Sequence, residues 1–309
     1  MRVESDSGLT WTDLVNPDRI EVTKLAEEYS LHPLNLEDCI SKRQIPKVDD
    51  HKDHVYILLQ FPIFDERLRL VRESQVSAFV SNDYVVTMHE KELSSLGDLF
   101  RKCQEDKETR DAYMKSSTKL FYHVVDALVE DLFPLLKRIR GELGDIEDKV
   151  YDQRVSIASE LSRQRRVIAA LRRIVAELRR LFLDLTVDVQ RFTKEDLTKY
   201  FNDVRDHIEK AWVILEEAKE TIEIYKDADY VLSTELTNKV LAILTIIFTL
   251  TIPATVVGAI YGMNVPLPGG NQPGPLTFLG PFTSFYVLML IAWVPAILMV
   301  LYFRNKGWL

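Results

Sequence analysis

The sequence predicts an α/β domain followed by a long α-helical coiled-coil stalk and two C-terminal membrane-spanning helices. Residues 1 to about 116 mix strand-like and short helical patterns, and from about residue 117 the apolar residues recur with helical periodicity. No Asp, Glu, Lys, Arg or His occurs among the 64 residues from Val240 to Phe303, although charged residues make up 28% of the chain. We therefore divide the chain into residues 1–116, 117–239 and 240–309.

The first domain carries the signals of a sheet with short helices. Residues 55–61 form a β-rich run, and residues 75–88 contain two more such runs around the turn at Ser81-Asn82-Asp83. Residues 25–29 and 34–40 are predicted to be short helices. The sequence contains neither a Gly-rich phosphate loop nor a nucleophile–base arrangement, so we expect no enzyme and no organic cofactor.

The second domain is predicted to consist of three long helices. Residues 120–151 and 157–192 form two amphipathic patterns, with a break near residues 154–156 and a candidate kink at Pro134. A third helix begins after residues 193–196, which supply an N-cap. Its apolar residues alternate in steps of four and three, as in a coiled coil. They are Val204, Ile208, Ala211, Leu215, Ala218, Ile222 and Tyr225, continued by Leu232 and Leu236.

The third helix is predicted to continue into the first membrane span. Neither Pro nor Gly occurs between residue 196 and Pro253. A single helix over residues 196–261 would be roughly 100 Å long. The alternative is a break near Ser233.

Two apolar runs, residues 240–261 and 282–303, are each long enough to cross a hydrocarbon core of about 30 Å. Lys239 precedes the first run, and Arg304 and Lys306 follow the second. Because basic residues favour the cytoplasmic side, both termini are predicted to lie in the cytoplasm. We expect a multi-pass protein of the inner or plasma membrane, embedded in the lipid bilayer, with about 20 residues facing outward.

The charge balance favours cations as partners. The net charge is −8 and the last 70 residues contribute +2, so the preceding 239 residues carry −10. Such a charge argues against nucleic-acid binding. The seven arginines between Arg163 and Arg180 are expected to pair with acids of the adjacent helix, namely Glu142, Asp145, Glu147 and Asp148.

Two smaller features carry weaker signals. Cys39 and Cys103 lack CxxC spacing and are predicted to be ordinary reduced thiols. The segment His51-Lys52-Asp53-His54 could hold a transition metal, but without a further ligand such a loop is more typical of a polar surface.

A stripe of residues along the third helix is a candidate pore lining. A seven-residue step through Leu241, Phe248 and Thr255, with the companion positions Asn238, Thr245 and Ile252, selects amide, apolar and hydroxyl side chains, and Leu244 joins the apolar members of the stripe. In a symmetric bundle, rings of the apolar members would close the pore by excluding water. Apolar residues of a membrane helix can equally face lipid, and the bulky Phe248 can equally pack between helices.

The end of the first span carries the motif Tyr261-Gly262-Met263-Asn264. With this motif after the first of two C-terminal spans, the chain resembles the CorA family of divalent-cation channels. Other segments also resemble the family: residues 32–34, 36–38, 46–48, 73–77, 126–129, 302–303 and 308–309. The resemblance implies a homopentameric funnel in which five long helices line one pore.

The resemblance also implies the roles of individual residues. Gly262, Met263 and Asn264 would form the selectivity filter, in which amide and carbonyl oxygens bind the waters of a hydrated Mg²⁺. Asp38 and Asp227 would hold a regulatory Mg²⁺ ion between protomers. Glu37 and Asp203 are candidates for a second site. The alternatives are a helix C-cap at Gly-Met-Asn and plain solvation of the acids.

The external loop departs from the family pattern. Residues 265–273 carry no charge, where family members usually have an acidic residue. This loop would attract cations weakly, and selectivity for Mg²⁺ stays open. Besides a passive Mg²⁺ channel gated by cytoplasmic Mg²⁺, we consider a transporter of Zn²⁺, Co²⁺ or Ni²⁺ and a non-conducting membrane-anchored coiled-coil scaffold.

Overall fold

The chain forms two compact units in the computed structural model, Met1–Ala228 and Asp229–Leu309. The structure describes residues 1–41, 44–152, 155–183, 185–263, 280 and 283–307. The first unit therefore combines the predicted α/β domain with most of the predicted helical domain.

A six-stranded mixed sheet is the framework of the first unit. Its strands are β1 (Arg2–Glu4), β2 (Thr10–Val15), β3 (Lys47–Asp50), β4 (His54–Asp65), β5 (Leu70–Ser81) and β6 (Tyr84–His89). Their order is β1-β2-β6-β5-β4-β3, and only β2 and β6 run parallel. Strands β4, β5 and β6 confirm the three predicted runs, whereas β1, β2 and β3 add to them.

Residues 55–59 of strand β4 carry no polar residue other than Tyr56, because both faces of the strand are covered there. Alternate residues of a strand point to opposite faces. Val55, Ile57 and Leu59 belong to the larger core, while Tyr56 and Leu58 belong to a smaller one. A continuous apolar run is therefore what this position in the sheet requires.

Ten helices are described. They are α1 (Arg19–Tyr29), α2 (Pro33–Ile40), α3 (Ser94–Glu105), α4 (Lys107–Tyr113), α5 (Ser117–Glu130), α6 (Leu132–Val150), α7 (Ala158–Leu181), α8 (Leu185–Gln190), α9 (Thr198–Tyr261) and α10 (Thr283–Asn305). Helices α1 and α2 confirm the two short helices predicted in the first domain. Helices α3 and α4 were not predicted.

Two of the predicted long helices are divided. Residues 120–151 were expected as one helix, but α5 ends at Glu130 and α6 begins at Leu132. Pro134 explains this break, because a proline offers no N–H to the carbonyl four residues earlier and its ring clashes with that carbonyl. Residues 157–192 form α7 and α8 instead of one helix, and the turn between them keeps Phe182 and Leu185 buried.

The third predicted helix is confirmed as α9, which has no break near Ser233. Asp196 precedes it and accepts a hydrogen bond of 3.0 Å from the backbone N–H of Thr198. The residues of the predicted seam in the first unit are all buried: Val204, Ile208, Ala211, Leu215, Ala218, Ile222 and Tyr225. The first part of α9 is therefore anchored by its apolar face.

The arginines of α7 have partners other than the expected ones. Arg163 lies 3.8 Å from Glu142, as predicted, but Arg173 pairs with Glu73 on β5 at 2.6 Å. Two further arginines pair with acids of α9: Arg179 with Glu209 at 2.8 Å, and Arg172 with Glu216. Because α7 also packs on the sheet and on α9, some of its arginines pair with acids of those elements instead of acids of α6.

Both cysteines are free thiols, as the sequence predicts. Burial raises the pKa of Cys39 to about 11 and that of Cys103 to about 11. Neither thiol is activated as a nucleophile at neutral pH.

The second unit contains the end of α9 and α10, and both helices are long and apolar enough to cross a membrane. On α10, Ala292 and Ala296 are buried. Small residues at such positions let two membrane helices approach closely. These two apolar C-terminal helices confirm that part of the predicted fold class.

A buried ion pair joins the parallel strands β2 and β6. The carboxylate of Asp13 accepts a hydrogen bond from Thr87 at 2.5 Å and lies 3.3 Å from Nε2 of His89. Nδ1 of His89 lies 2.8 Å from the carbonyl oxygen of Glu90. Since both ring nitrogens face acceptors, the arrangement favours the imidazolium form. Burial lowers the pKa of His89, but hydrogen bonding to Asp13 and its charge outweigh burial and raise the pKa above 6.5.

Replacing His89 with Gln is expected to destabilise the protein. Removing one partner of a buried ion pair costs about 3–5 kcal/mol. In a chain of this size that loss lowers the melting temperature by on the order of 10 °C. The pair contributes fully below pH 6.5 and is lost as pH rises through the raised pKa of His89. The difference from wild type should therefore shrink on going from about pH 6 to about pH 8.5.

The measurement is thermal denaturation of the purified full-length protein in detergent. Asp83→Asn is the control, because Asp83 is exposed at the β5–β6 turn. A difference that stays the same at both pH values would contradict an imidazolium in this pair.

Candidate functional site

The predicted pore stripe is exposed along its whole length. All seven of its residues are exposed in the single chain: Asn238, Leu241, Leu244, Thr245, Phe248, Ile252 and Thr255. At about 100° per residue they cover an arc of about 120° around the helix.

The opposite side of α9 faces α10. A cavity of about 280 Å³ is lined by four residues of α9 and three of α10. Those of α9 are Ala254, Val257, Gly258 and Tyr261. Val257 lies about 180° from Phe248 on the helix, so the chain's own second span leaves the stripe uncovered.

The threonines of the stripe bond to the helix backbone. The hydroxyl of Thr245 donates to the carbonyl of Leu241 at 2.8 Å, and that of Thr255 donates to the carbonyl of Thr251 at 2.9 Å. Each hydroxyl oxygen keeps lone pairs that can accept hydrogen bonds from water. The stripe therefore offers acceptor oxygens between apolar side chains.

The Gly-Met-Asn motif begins where α9 ends. The N–H of Gly262 donates to the carbonyl of Gly258 at 2.9 Å, and the N–H of Met263 donates to the carbonyl of Ile260 at 3.3 Å. A Cβ atom at Gly262 would lie 3.1 Å from the carbonyl oxygen of Gly258. Any other residue would thus press on the last helical turn. Asn264 lies outside the described residues.

The two predicted regulatory aspartates have different surroundings. Asp38 on α2 lies 2.8 Å from the ammonium group of Lys47, which also reaches Asp49 at 2.6 Å. Burial lowers the pKa of Lys47, but its bonds to Asp38 and Asp49 outweigh burial and raise that pKa. Asp227 is exposed and has no ion pair among the described residues. The charge of Asp38 is therefore already compensated in one chain, whereas that of Asp227 is not.

Glu37 and Asp203 are both exposed. The structure places Asp203 next to two residues to which the sequence analysis gave no site role, Asp126 on α5 and His207 on α9. The ligand atoms of Asp126, Asp203 and His207 lie within 4.8 Å of one another. Asp203 and His207 share a helix face because they are four residues apart. Two features of the sequence could have indicated this cluster: the four-residue spacing of Asp203 and His207, and the family-like segment of residues 126–129.

The electrostatics of this Asp126–Asp203–His207 cluster suit a divalent ion. Burial and the nearby carboxylates of Glu130 and Asp203 raise the pKa of Asp126. Burial together with Asp126 and Asp203 raises the pKa of Tyr122 to about 12. Nδ1 of His207 is buried without a hydrogen-bond partner among the described residues. Two carboxylates and an imidazole can bind Co²⁺ or Zn²⁺, and the carboxylates can bind Mg²⁺.

A family model described as a CorA-like Mg²⁺ transporter protein matches residues 6–304. The chain belongs to the CorA family. This membership confirms the resemblance that the sequence suggested. CorA-family proteins are integral membrane transporters and not enzymes, which also agrees with the prediction from the sequence.

Several CorA proteins are similar over nearly the whole chain. The cobalt/magnesium transport protein CorA of Thermotoga maritima is 29% identical, over 97% of this chain and 83% of that protein. The protein of the same name from Methanocaldococcus jannaschii is 24% identical, over 98% of this chain and 92% of that protein.

A solved structure shares the fold. The complete structure of the CorA magnesium transporter from M. jannaschii matches with a TM-score of 0.78 and 22% identity. The match covers 98% of this chain and 92% of that one. The α/β domain, the long helix and the two apolar C-terminal helices are thus a CorA fold.

The double variant Asp203→Asn/His207→Gln is expected to bind divalent ions more weakly. Since an ion that binds the folded state raises the melting temperature, Co²⁺ should stabilise the wild-type protein. Loss of two ligands should raise the Co²⁺ concentration for half-maximal stabilisation by about tenfold or more. The measurement is thermal denaturation in detergent at increasing Co²⁺ concentration.

Asp206→Asn is the matched control for this cluster, because Asp206 is an exposed acid on the same helix. If the control and the double variant lose Co²⁺ stabilisation equally, the effect is general charge and the cluster holds no ion.

Proposed function

We propose that the protein is a homopentameric channel that carries hydrated Mg²⁺ passively into the cytoplasm and closes when cytoplasmic Mg²⁺ is high. The observation that carries the proposal is that Gly262-Met263-Asn264 directly follows α9 in the sequence, and α9 is the helix whose stripe is left open by its own chain. Residues 1–116 would form the cytoplasmic sensor domain, 117–239 the helical stalk and 240–309 the membrane domain.

The filter would select for an ion that keeps its water. Mg²⁺ gives up its hydration shell reluctantly, so acceptor oxygens that bind its waters suit it better than direct ligands. Five copies of the Asn264 amide and the Gly262 carbonyl would supply such oxygens, with Met263 completing the filter. The close approach of Gly262 to the last turn of α9 supports this role, since a Cβ atom there would lie 3.1 Å from the carbonyl oxygen of Gly258.

The gate would lie along the stripe. In a bundle of five α9 helices, rings of Leu241, Leu244, Phe248 and Ile252 would exclude water when they close on the axis. Asn238 at one end, with Thr245 and Thr255 between the apolar rings, would bind the waters of a passing ion. The exposure of these side chains on the face away from α10 supports this arrangement.

Regulation would depend on carboxylates that repel one another until a divalent ion neutralises them. Asp126, Asp203 and His207 would form one site within a chain, with Glu37 as a candidate additional ligand. Asp38 and Asp227 would form another between chains, where an ion would have to share Asp38 with Lys47. Loss of the ions would let the subunits separate and the apolar rings take up water.

The direction of transport would follow the membrane potential. With both termini in the cytoplasm, entry of a divalent ion is favoured by roughly 4.6 kcal/mol at 100 mV. No Walker motif occurs in the sequence, which supports a passive mechanism.

A second candidate function is transport of another divalent metal on the same scaffold. Two observations favour it: a CorA relative is named a cobalt/magnesium transport protein, and the candidate cytoplasmic cluster contains the nitrogen ligand His207. The uncharged segment 265–273 adds no electrostatic preference at the outer mouth.

Asn264→Ala is expected to reduce Mg²⁺ uptake to the background of empty liposomes, because the filter loses its amide oxygens. Uptake into proteoliposomes is followed with a trapped fluorescent indicator. Asn271→Ala is the control, since it removes an amide from the same external segment. If the wild-type protein passes Zn²⁺ with a proton gradient but no Mg²⁺, the second candidate function replaces the first. If the folded pentamer passes no ion, a scaffold role replaces both.

Asp227→Ala is expected to keep Mg²⁺ uptake but to resist its closure by internal Mg²⁺, because one regulatory ligand is lost. The same assay is run with the liposomes preloaded with Mg²⁺. Asp229→Ala, two residues further along α9, is the control. If internal Mg²⁺ closes the wild type and Asp227→Ala equally, Asp227 is not a ligand of the regulatory site.

Leu241→Asn is expected to increase the resting leak of Mg²⁺, because an amide wets an apolar ring. Ile246→Asn is the matched control, since Ile246 is half-buried and lies roughly 140° from Leu241 on α9. Leak currents in planar bilayers measure the difference. A larger leak from Ile246→Asn than from Leu241→Asn would contradict the proposal that the face of α9 with Leu241 lines the pore.

A further inference from the structure

A tight turn brings two histidines together at the end of the β3–β4 hairpin. The N–H of His51 donates to the carbonyl of His54 at 3.0 Å, across the two-residue turn Lys52-Asp53. Asp50 pairs with Val55 in the strand register, so His51 stands opposite His54. Side chains at directly opposite positions project from the same face of a hairpin. Their ring centroids are 4.8 Å apart.

A third histidine comes from a different part of the chain. His32 is the N-cap of α2, and its ring lies 5.3 Å from that of His51, with an angle of 19° between the planes. Two imidazoles that bind one tetrahedral ion at about 2.0–2.1 Å have centroids roughly 5 Å apart. The spacing of His51 from His54 therefore allows these two rings to share an ion, whereas the His32 ring is stacked on His51 and must rotate before its nitrogen can point at the same ion.

His54 contributes a ring nitrogen, Nε2, that makes no hydrogen bond to the described residues. Its side chain is 95% buried by accessible area, since 5% remains exposed, and Nε2 has no hydrogen-bond partner among the described residues. A buried acceptor without a partner is costly. A neutral imidazole has one nitrogen with a lone pair, and such a nitrogen can bind a metal ion.

His51 has a neighbour that can orient it as a ligand. The side-chain amide of the buried Asn35 lies 2.8 Å from Nε2 of His51. An Asn amide can present either its nitrogen or its oxygen. When the oxygen faces Nε2, that nitrogen carries the proton and Nδ1 is left with a lone pair. Histidine ligands usually donate their second N–H to such a partner.

The hairpin turn is fixed by a guanidinium group. Arg191 donates to the carbonyl of His51 at 2.6 Å and lies 2.5 Å from the carboxylate of Asp50. The side chains of His51 and His54 are thereby held on a rigid loop. His32 is exposed, and its bond from the N–H of Leu34 is long at 3.3 Å, so its ring is free to turn towards an ion.

We propose that His32, His51 and His54 form a cytoplasmic binding site for a transition-metal ion, of which Zn²⁺ is the best match. Imidazole nitrogens suit Zn²⁺, Ni²⁺ and Co²⁺, whereas Mg²⁺ takes oxygen ligands. The site is separate from the Asp126–Asp203–His207 cluster and does not depend on what the channel carries. Asp53 in the turn is the nearest candidate for a fourth, oxygen ligand in the sequence.

The test uses the full-length protein in detergent with the Asp203→Asn/His207→Gln background, which removes the other nitrogen-containing cluster. Zn²⁺ affinity is measured by competition with a colorimetric chelator, and Co²⁺ is added separately to record its visible absorption. One equivalent of Zn²⁺ should bind, and Co²⁺ should give the intense bands of a four-coordinate nitrogen site. His51→Gln and His54→Gln should each weaken Zn²⁺ binding by about tenfold or more.

His123→Gln is the matched control, because it removes a histidine outside the cluster. His54 is buried and its variant could fail to fold, so His51→Gln, at a half-buried turn position, decides the outcome in a protein with unchanged melting temperature. Zn²⁺ binding that is unaltered in His51→Gln would overturn the proposal. So would Co²⁺ spectra of a six-coordinate oxygen site.

Discussion

The structure depends on one helix, α9, whose first part must suit a domain in water and whose second part must suit a hydrocarbon environment. In its first part α9 buries an apolar seam, from Val204 to Tyr225, against the rest of the first unit. In its second part most apolar residues are exposed, and helical hydrogen bonds satisfy the backbone polar groups, as a hydrocarbon environment requires, except at Pro253, which has no N–H to donate to the carbonyl of Thr249. Neither Pro nor Gly interrupts α9 before Pro253. The same backbone therefore carries Asp203, Asp227, the stripe and the start of the Gly-Met-Asn motif.

Electrostatics separate the acidic groups into two kinds. Asp38 has a lysine at 2.8 Å, and an added cation would gain little from its charge alone. Asp126 and Asp203 have no such partner among the described residues, and burial together with the carboxylates of Glu130 and Asp203 raises the pKa of Asp126. Unrelieved repulsion of this kind is what a divalent ion removes. Within one chain, the pair most ready for a metal is therefore not the pair that the family resemblance suggested first.

Sequence periodicity predicted the elements whose burial is regular and missed those set by distant contacts. Strands β4 to β6, α9 and the two spans carry long patterns, whereas β1 has only three residues. The division between α5 and α6 was missed because the apolar pattern runs on through Pro134. Asp126 and His207 lie in different helices, and His32 is far from His51 in sequence, so local spacing could not unite either group. The partners of the α7 arginines depended likewise on packing.

Helix α2 links the nitrogen-rich cluster to the predicted regulatory acids. It begins at its N-cap His32 and carries Glu37 and Asp38, within eight helical residues. Asp38 lies six positions after His32, a rise of about 9 Å along the axis. An ion held by His32, His51 and His54 would tie the start of α2 to the β3–β4 hairpin, on which Lys47 already binds Asp38. If Asp38 also binds Mg²⁺ between chains as proposed, hard and borderline metals would act on the same short helix through different ligands, and the Lys47–Asp38 pair would have to be shared with the Mg²⁺ ion.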